Sequence, residues 1–475
     1  MKEISKKLYN QISKICNDSR IINKTNISIN EKLLLHFLFK ELDEAHKSWN
    51  KFKFKIHKEH IEINNGDNYP RGNSFDYAKD DTKTAISNSI KLGAKYTFTI
   101  ELQNITVYIL YCLTENENNK KPTQKQITAF LNSSIYKIYL WFYIAGRQKP
   151  HICADNLTLY VYMTNLAKNI APIMGTIIDR EHVNSAFTTS CQKNIEIHIY
   201  REEDWFKTLI HESFHCFGFD FSHRKEFCDY SQKQILDLFS VKSDVNLFET
   251  YCEVWGEYLN IIIYLWLKYN NNNTLPHKHL QNNSSRNSKI TINSNSKTYK
   301  NNHKKYDNYN IEKNYKKLIF YEKQFSLLQM LKVLKHYNLS YIDFKNNTPA
   351  LISNFKENTN VLSYYLLKAI YLWNIDEFVN FAMSFNEKST PFLFRNNQQN
   401  IREYVNIIAK YYKNASPPTS PPTSQHASQH TSQIIYKVKL FENNIAIYEN
   451  WIKHHMKKTG NKFMTITLKM MILEY

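Results

Sequence analysis

The amino-acid sequence predicts an α+β fold, with a small mixed sheet at its centre and mostly helical regions on either side. Segments rich in β-branched and aromatic residues, some of them alternating apolar and polar positions, fall between residues 95 and 200. Elsewhere, apolar residues recur at helical spacing. A chain of 475 residues is long enough to hold several domains, so we divide it into regions.

The first region, residues 1–120, is predicted to be an α/β unit and carries no motif that assigns it a role. Apolar residues at helical spacing predict a helix over 29–49. Residues 95–102 and 105–113 read KYTFTIEL and ITVYILYCL, a pattern typical of a hairpin with its turn near Asn104.

The second region, residues 121–269, has the clearest pattern of strands. An amphipathic helix is predicted over 122–146, and three strands follow over 157–163, 183–190 and 195–200. A further helix is predicted over 205–217. Three acidic residues, Glu202, Glu203 and Asp204, favour its N-terminus, and Gly218 is a plausible C-terminal stop.

Four shorter regions complete the chain. Residues 270–316 are rich in asparagine and poor in large aliphatic side chains, which predicts a disordered insertion or linker. Helical periodicity returns over 317–415. The Pro-, Ser- and Thr-rich stretch 416–433 is predicted to be a second linker, and 434–475 a C-terminal tail or small unit.

Composition limits the environment and the partners of the protein. No apolar run reaches the roughly 20 residues that a membrane-spanning helix requires, and the N-terminus lacks the apolar stretch of a secretory signal. The seven cysteines are scattered without a CxxC pair, so we expect reduced thiols in a cytoplasmic or virion-associated protein. The net charge of +19 allows nucleic-acid binding, but no nucleic-acid-binding motif accompanies it.

One motif carries chemistry, the segment His211-Glu212-Ser213-Phe214-His215. Residues four apart lie on one face of a helix, so both imidazoles can reach one ion, and imidazole nitrogen suits Zn²⁺. Glu212, beside the first histidine, is then placed to act as a general base on water rather than as a ligand. Apolar neighbours predict a largely buried helix, in which these polar side chains need partners.

The third ligand has two sets of candidates. Glu249, Glu253 and Glu257 recur every four residues on one predicted helical face with aromatic neighbours, and a divalent cation would offset their repulsion. Asp220 and His223 are the alternatives closer to the motif. Neither stands at the ligand position of the HExxHxxGxxH pattern, so the glutamate segment is the stronger candidate.

These residues resemble the gluzincin type of zincin metallopeptidase, in which HExxH supplies two zinc ligands and the general base. A glutamate of a later helix supplies the third ligand in that family. The segment 249–253, ETYCE, is similar to the family's ExxxD and EFFAE-like segments, which implies that Glu249 is the third ligand and that Glu253 orients His211. The resemblance also implies a zincin-like catalytic domain whose edge strand, matched by 183–190, pairs with an extended polypeptide substrate.

The resemblance implies a zinc-dependent hydrolase with one Zn²⁺ ion, and a metallopeptidase in particular. Glu212 would take a proton from the attacking water and deliver it to the leaving amine. The developing oxyanion needs a further donor, for which His223, Tyr230 and Tyr251 are the candidates.

Two other functions stay open from the sequence. One is a catalytically inactive, zinc-stabilised interaction protein. The other is a basic protein that binds nucleic acid or a virion component, in which HExxH is incidental. In composition the chain also resembles proteins of giant DNA viruses.

Overall fold

The computed structural model describes most of the chain between residues 27 and 473. The described ranges are 27–63, 68–111, 122–150, 152–170, 173–274, 308–387, 390–413, 425–459 and 468–473, with residues 10, 12 and 13 in addition. Within them the protein is mixed α+β, as predicted, because one six-stranded sheet is accompanied by many helices.

The sheet and the helices nearest to it come from the first part of the chain. In chain order they are α1 (Ile29–Phe52), β1 (His57–Glu62), α2 (Asp80–Ser89), β2 (Leu92–Ile100), β3 (Gln103–Tyr111), α3 (Gln124–Gln148), β4 (Asn156–Met163), α4 (Arg180–Val183), β5 (Ala186–Thr188), β6 (Asn194–Ile199), α5 (Trp205–Cys216), α6 (Lys225–Leu238) and α7 (Leu247–Thr274). Capping boxes start α1, at Ser28 and Glu31, and α3, at Thr123 and Gln126.

The later part of the described chain is helical. Its elements are α8 (Asn308–His336), α9 (Tyr341–Asn346), α10 (Pro349–Asn354), a π-helical turn (Leu362–Leu367), α11 (Lys368–Trp373), α12 (Ile375–Phe385), α13 (Gln398–Ile408), a second π-helical turn (Ala409–Lys413) and α14 (Gln425–Thr459). Of the helices that the structure describes, none is both long and apolar enough to cross a bilayer.

The strands lie in the order β1-β2-β3-β4-β6-β5. β1, β2 and β3 pair antiparallel, β4 is parallel to both β3 and β6, and β5 pairs antiparallel with β6 at the sheet edge. Because β3 pairs with β4, the sheet runs across the region boundary that the sequence predicts at residue 120.

The alternation of side chains decides what each face of the sheet packs against. Leu157, Leu159 and Val161 of β4 belong to the main core, where Trp141 of α3 stacks on Phe214 of α5. The intervening residues of β4 and β6 form a smaller aromatic cluster on the opposite face. The motif helix therefore packs on the main-core face.

The predicted hairpin is present, and its turn lies at Glu101 and Leu102, two positions before Asn104, with Glu101 at a φ of 52°. The prediction of two linkers is wrong in part. Both predicted linkers are partly helical, since α7 continues to Thr274, α8 begins at Asn308 and α14 begins at Gln425. Packing explains the early start of α8, because Ile311 and Tyr315 are buried in the core. The rest of the two predicted linkers, 275–307 and 416–424, lies outside the described residues.

The C-terminal region 434–475 contributes the rest of α14 and a buried segment, 468–473. This segment has no helix or strand of its own, yet all six of its residues are buried. The predicted tail is therefore packed into the core where the structure describes it.

The expectation of reduced thiols is wrong for two cysteines, because Cys153 and Cys191 form a disulfide. They lie 38 positions apart in sequence but just before two neighbouring strands, in which Asn156 pairs with Asn194. Spacing along the chain does not reveal such a pairing across a sheet. The free cysteines among the described residues are Cys216, Cys228 and Cys252.

Candidate metal centre

Helix α5 carries the HExxH motif and is buried along its whole length. Asp204 precedes it with a φ of 58°, and its carboxylate makes no capping hydrogen bond to the helix. Instead it accepts from the backbone N–H of Met470 at 3.0 Å and lies 3.4 Å from Nζ of Lys168. Asp204 stands at the N-cap position, next to the predicted helix start, and its carboxylate also joins distant segments of the chain.

Helix α7 lies against α5 and brings the predicted glutamates to the motif. Gly256 permits this close approach. A Cβ atom at this position would lie 3.3 Å from the backbone oxygen of Lys207 and 3.6 Å from Cβ of His211. The absence of a side chain here thus lets one turn of α7 sit directly on the turn of α5 that begins the motif.

Three potential ligand atoms converge, from the two motif histidines and from Glu249 among the three candidate glutamates of α7. Nε2 of His211 lies 3.1 Å from Oε2 of Glu249 and 3.2 Å from Nε2 of His215, and the third separation, His215 Nε2 to Glu249 Oε2, is 3.4 Å. Each residue is largely buried. These three side chains could hold one metal ion.

The spacing of the three atoms fits zinc. Ligand atoms at about 2.0–2.1 Å from a tetrahedral ion lie roughly 3.3–3.4 Å from one another, close to the separations found here. Two imidazole nitrogens and one carboxylate oxygen form a donor set of the kind that catalytic zinc sites use, with a further coordination position left open.

A second layer of buried residues fixes His211. Oε1 of Glu253 lies 2.9 Å from Nδ1 of His211, so the other ring nitrogen faces Glu249 and His215. Lys207 donates a short hydrogen bond to Oε2 of Glu253, and Nζ of Lys368 lies 4.0 Å from the same oxygen and 2.9 Å from Oε2 of Glu257. Lysines from other parts of the chain therefore compensate the acidic face of α7, which the sequence of α7 alone does not show.

Asp220 orients the other imidazole. It forms a short hydrogen bond with Nδ1 of His215, the nitrogen that points away from Glu249, and accepts a hydrogen bond from the thiol of Cys252 at 3.3 Å. Asp220 is thus placed behind His215 rather than among the three convergent atoms. His223, the other alternative ligand, is exposed on the loop before α6 and does not join the convergent group.

Burial and charge set the protonation of these groups. Burial raises the pKa of Glu249, but His215 and His211 lower it more, so this carboxylate is ionised. Burial also raises the pKa of Glu253, and Lys207 and His211 reverse the effect and leave that pKa well below its usual value. For Glu212, burial raises the pKa and the two histidines offset the increase only in part.

The convergent group opens onto a cleft of about 720 Å³. Glu212, 8% exposed, lines the cleft beside His211 and His215. Its lining includes the whole of β5 with Tyr200, and residues 357–360 with Tyr364. The cleft therefore lies between the sheet edge and the helical part of the chain.

The three predicted oxyanion donors are not among the described residues that line this cleft. His223 is exposed, the hydroxyl of Tyr230 accepts a hydrogen bond from Nε of Arg402 at 2.8 Å, and the buried hydroxyl of Tyr251 donates to the backbone oxygen of Phe392 at 2.8 Å. Tyr364 lies there instead. Its hydroxyl donates to Oε2 of Glu249 at 3.3 Å, and its ring centroid is 6.0 Å from that of His211.

The position of Tyr364 at the site is not predictable from the sequence, because no local pattern distinguishes this tyrosine. It stands 115 positions after Glu249, in a π-helical turn with a second tyrosine beside it. A π-helical turn within a helix is itself a frequent mark of a functional position, but it is visible only in the structure.

The geometry defines a candidate metal centre with an adjacent carboxylate base in a cleft. Comparisons with family models, with curated proteins and with solved structures each found no match to this chain.

Proposed function

We propose that the protein is a zinc-dependent hydrolase that cleaves peptide bonds. The observation that carries the proposal is the convergence of His211, His215 and Glu249 at one end of a cleft that Glu212 also lines. In this proposal those three residues hold the ion. A bound Zn²⁺ supplies Lewis-acid polarisation of a carbonyl oxygen and lowers the pKa of coordinated water.

Glu212 is the general base in this proposal. Its side chain lies next to the first histidine and faces the cleft. Among the described residues, no lysine or arginine forms an ion pair with it. Burial raises its pKa towards the range in which a carboxylate can both take a proton from water and return it to a leaving amine.

Tyr364 is the proposed donor to the oxyanion. Its hydroxyl already points at the convergent group, and burial raises its pKa well above the usual value, so it stays a neutral donor. Such a donor aimed at developing charge is usually a large contribution to acyl-transfer catalysis.

Strand β5 is the proposed binding strand for substrate. It pairs with β6 on one side, lies at the edge of the sheet and lines the cleft with Ala186, Phe187 and Thr188. A peptide in extended conformation could add to such an edge through main-chain hydrogen bonds, which would place successive peptide bonds along the cleft. This geometry favours a polypeptide over a small ester or a nucleotide as substrate.

The test combines metal analysis with three variants of the full chain. Elemental analysis should find about one zinc per chain, as expected for a single site. Glu249→Ala should lose the zinc, whereas Glu212→Gln should keep it and lose peptidase activity by at least about a hundredfold. Asp229→Asn, on the exposed face of α6, is the control and should change neither quantity.

Each alternative function predicts a different pattern. Full zinc with no peptidase activity in the wild-type chain would indicate a zinc-stabilised interaction protein. Zinc content that Glu249→Ala leaves unchanged would remove this residue from the site and contradict the proposal.

A further inference from the structure

The turn between α1 and β1 is a surface of unusual composition outside the cleft. It reads Lys51-Phe52-Lys53-Phe54-Lys55-Ile56, followed by His57 and Lys58. Phe54 is 85% exposed and Phe52 is 44% exposed. Two large aromatic side chains thus stand in solvent within three positions, although exposed apolar residues usually occur singly on a protein surface.

The lysines of this turn carry uncompensated charge. Lys51, Lys53 and Lys55 are exposed and Lys58 is half-buried, and none of the four forms an ion pair within the described part of the chain. Nζ of Lys53 lies 5.3 Å from the ring centroid of Phe54, and Nζ of Lys55 lies 5.3 Å from that of Phe52. The basic groups and the aromatic rings therefore share one surface, which we call the basic aromatic turn.

Neighbouring elements extend this surface. The register of β1 on β2 pairs His57 with Thr97, which puts the turn at the same end of the sheet as the β2–β3 turn, where Leu102 is 92% exposed. A cavity of about 1020 Å³ opens beside Phe54. Aromatic residues from several elements line it, together with the four lysines Lys53, Lys58, Lys137 and Lys268. None of the described residues that line it is acidic.

We propose that the basic aromatic turn docks on the surface of an anionic lipid bilayer. Phe52 and Phe54 would enter the boundary between headgroups and acyl chains, while the lysines next to them contact anionic headgroups. The adjoining cavity, basic and aromatic, has the chemistry to receive a headgroup. This role is independent of the proposed peptidase activity.

A bilayer fits these observations better than a nucleic acid does. Single-stranded nucleic acid binds by stacking bases on open aromatic faces. Here the ammonium groups of Lys53 and Lys55 lie over the two exposed rings, so these faces are partly covered. Protruding rings beside lysine chains are what an interfacial anchor requires.

The test is sedimentation of the full chain with lipid vesicles. The protein should bind vesicles that contain about one third phosphatidylserine and should not bind vesicles of phosphatidylcholine alone. The double variant Lys53→Glu/Lys55→Glu should bind at least about 20-fold more weakly, since each lysine near such a surface contributes about a factor of five. Phe54→Ser should weaken binding about tenfold, and because this side chain is exposed the variant should fold normally.

A charge-matched control separates a local surface from the net charge of +19. Lys233→Glu/Lys242→Glu changes the net charge by the same amount at two exposed lysines elsewhere. Ile342→Ser, which removes a 54% exposed apolar side chain on α9, is the control for Phe54→Ser. Both controls should retain binding within about threefold.

Three outcomes would overturn the proposal. One is the absence of binding to anionic vesicles. Another is an equal loss of binding in the two double variants, which would assign it to diffuse charge. The third is tighter binding of the turn to single-stranded RNA or to an acidic protein than to vesicles, with the same dependence on Lys53 and Phe54.

Discussion

At the scale of single residues, the proposed function gives Tyr364 a direct part in the reaction, as the donor to the oxyanion. Tyr364→Phe removes only its hydroxyl. If this hydroxyl stabilises the oxyanion, kcat should fall about a hundredfold while zinc content stays the same. Peptidase kinetics with elemental analysis of the same sample measure both. The neighbouring Tyr365, whose hydroxyl donates to the backbone of Leu468, is the control position, and Tyr365→Phe should leave kcat within a few-fold.

Lys207 acts through two other residues. It ion-pairs with Glu253, which lies against Nδ1 of His211. Lys207→Met should leave Glu253 with one distant lysine, loosen the orientation of His211 and weaken zinc binding about 10–100-fold. Competition with a fluorescent chelator measures this. Zinc affinity equal to that of the wild-type chain would show that Glu253 holds His211 without help.

The residue-level predictions from sequence succeed where the pattern is local. The four-residue spacing placed His211 and His215 on one helical face and gave three glutamates on α7 as candidates, among which the resemblance to gluzincins singled out Glu249, the one that lies with the two histidines. The lysine partners of Glu253 and Glu257, and the position of Tyr364 over the site, depend on contacts between distant segments. No spacing in the sequence encodes those contacts.

At the scale of elements, the packing of α5 on α7 decides whether the ligands meet. Gly256→Ala would place a Cβ atom 3.3 Å from the backbone oxygen of Lys207, and that backbone cannot move easily within a buried helix. The variant should lose about 1–3 kcal/mol in free energy of unfolding and bind zinc more weakly. Urea denaturation and chelator competition measure the two effects.

Gly146→Ala on α3 is the matched control. Its added Cβ atom would meet Oε1 of Gln103 at 2.9 Å, the end of a flexible side chain rather than backbone. Because alanine also favours helix more than glycine does, the stability of this variant should change little or rise slightly. An equal loss of free energy of unfolding in both variants would show that any added methyl group in these helices is destabilising. It would contradict a specific role of Gly256.

The aromatic cluster behind β5 predicts a dependence on pH. His198 of β6 stacks between Tyr160 and Phe187, and burial lowers its pKa to about 4, an effect that Glu196 opposes. Between pH about 6.5 and about 4 the unfolded chain takes up a proton that the folded chain does not, so stability falls as the pH falls, by about 3 kcal/mol in total. Denaturation of His198→Gln over this range should show a shallower slope than the wild-type protein.

The edge strand lies within the predicted segment but is shorter than predicted. The predicted strand 183–190 contains β5, which is only Ala186–Thr188. A short α-helical turn, α4, occupies its beginning because Asp179 and His182 form a capping box there. The content of β-branched residues alone does not show whether the start of such a segment forms a capped helical turn or a strand.

For the molecule as a whole, segments from the middle of the chain and the C-terminal segment 468–473 meet behind the candidate site. Asp204, at the start of the motif helix, bonds the backbone of Met470 and lies near Lys168 and Lys469. Lys368 donates to the backbone oxygen of Met470, and the carboxylate of Glu322 accepts from Ile472 and Leu473. The sequence predicted separate regions because composition changes along the chain, but composition does not report which regions share a core.

Asp204→Asn tests this integration. It would leave Lys168, which is fully buried, without its carboxylate, and breaking a buried pair in this way costs about 3–5 kcal/mol. If the regions share one core, urea unfolding should remain a single transition at lower midpoint, with circular dichroism and tryptophan fluorescence in agreement. Asp229→Asn, which breaks the exposed pair with Lys225, should leave the midpoint unchanged. Two transitions in Asp204→Asn, one of them at the wild-type midpoint, would show that the C-terminal segment packs on an independently stable unit that holds the candidate site.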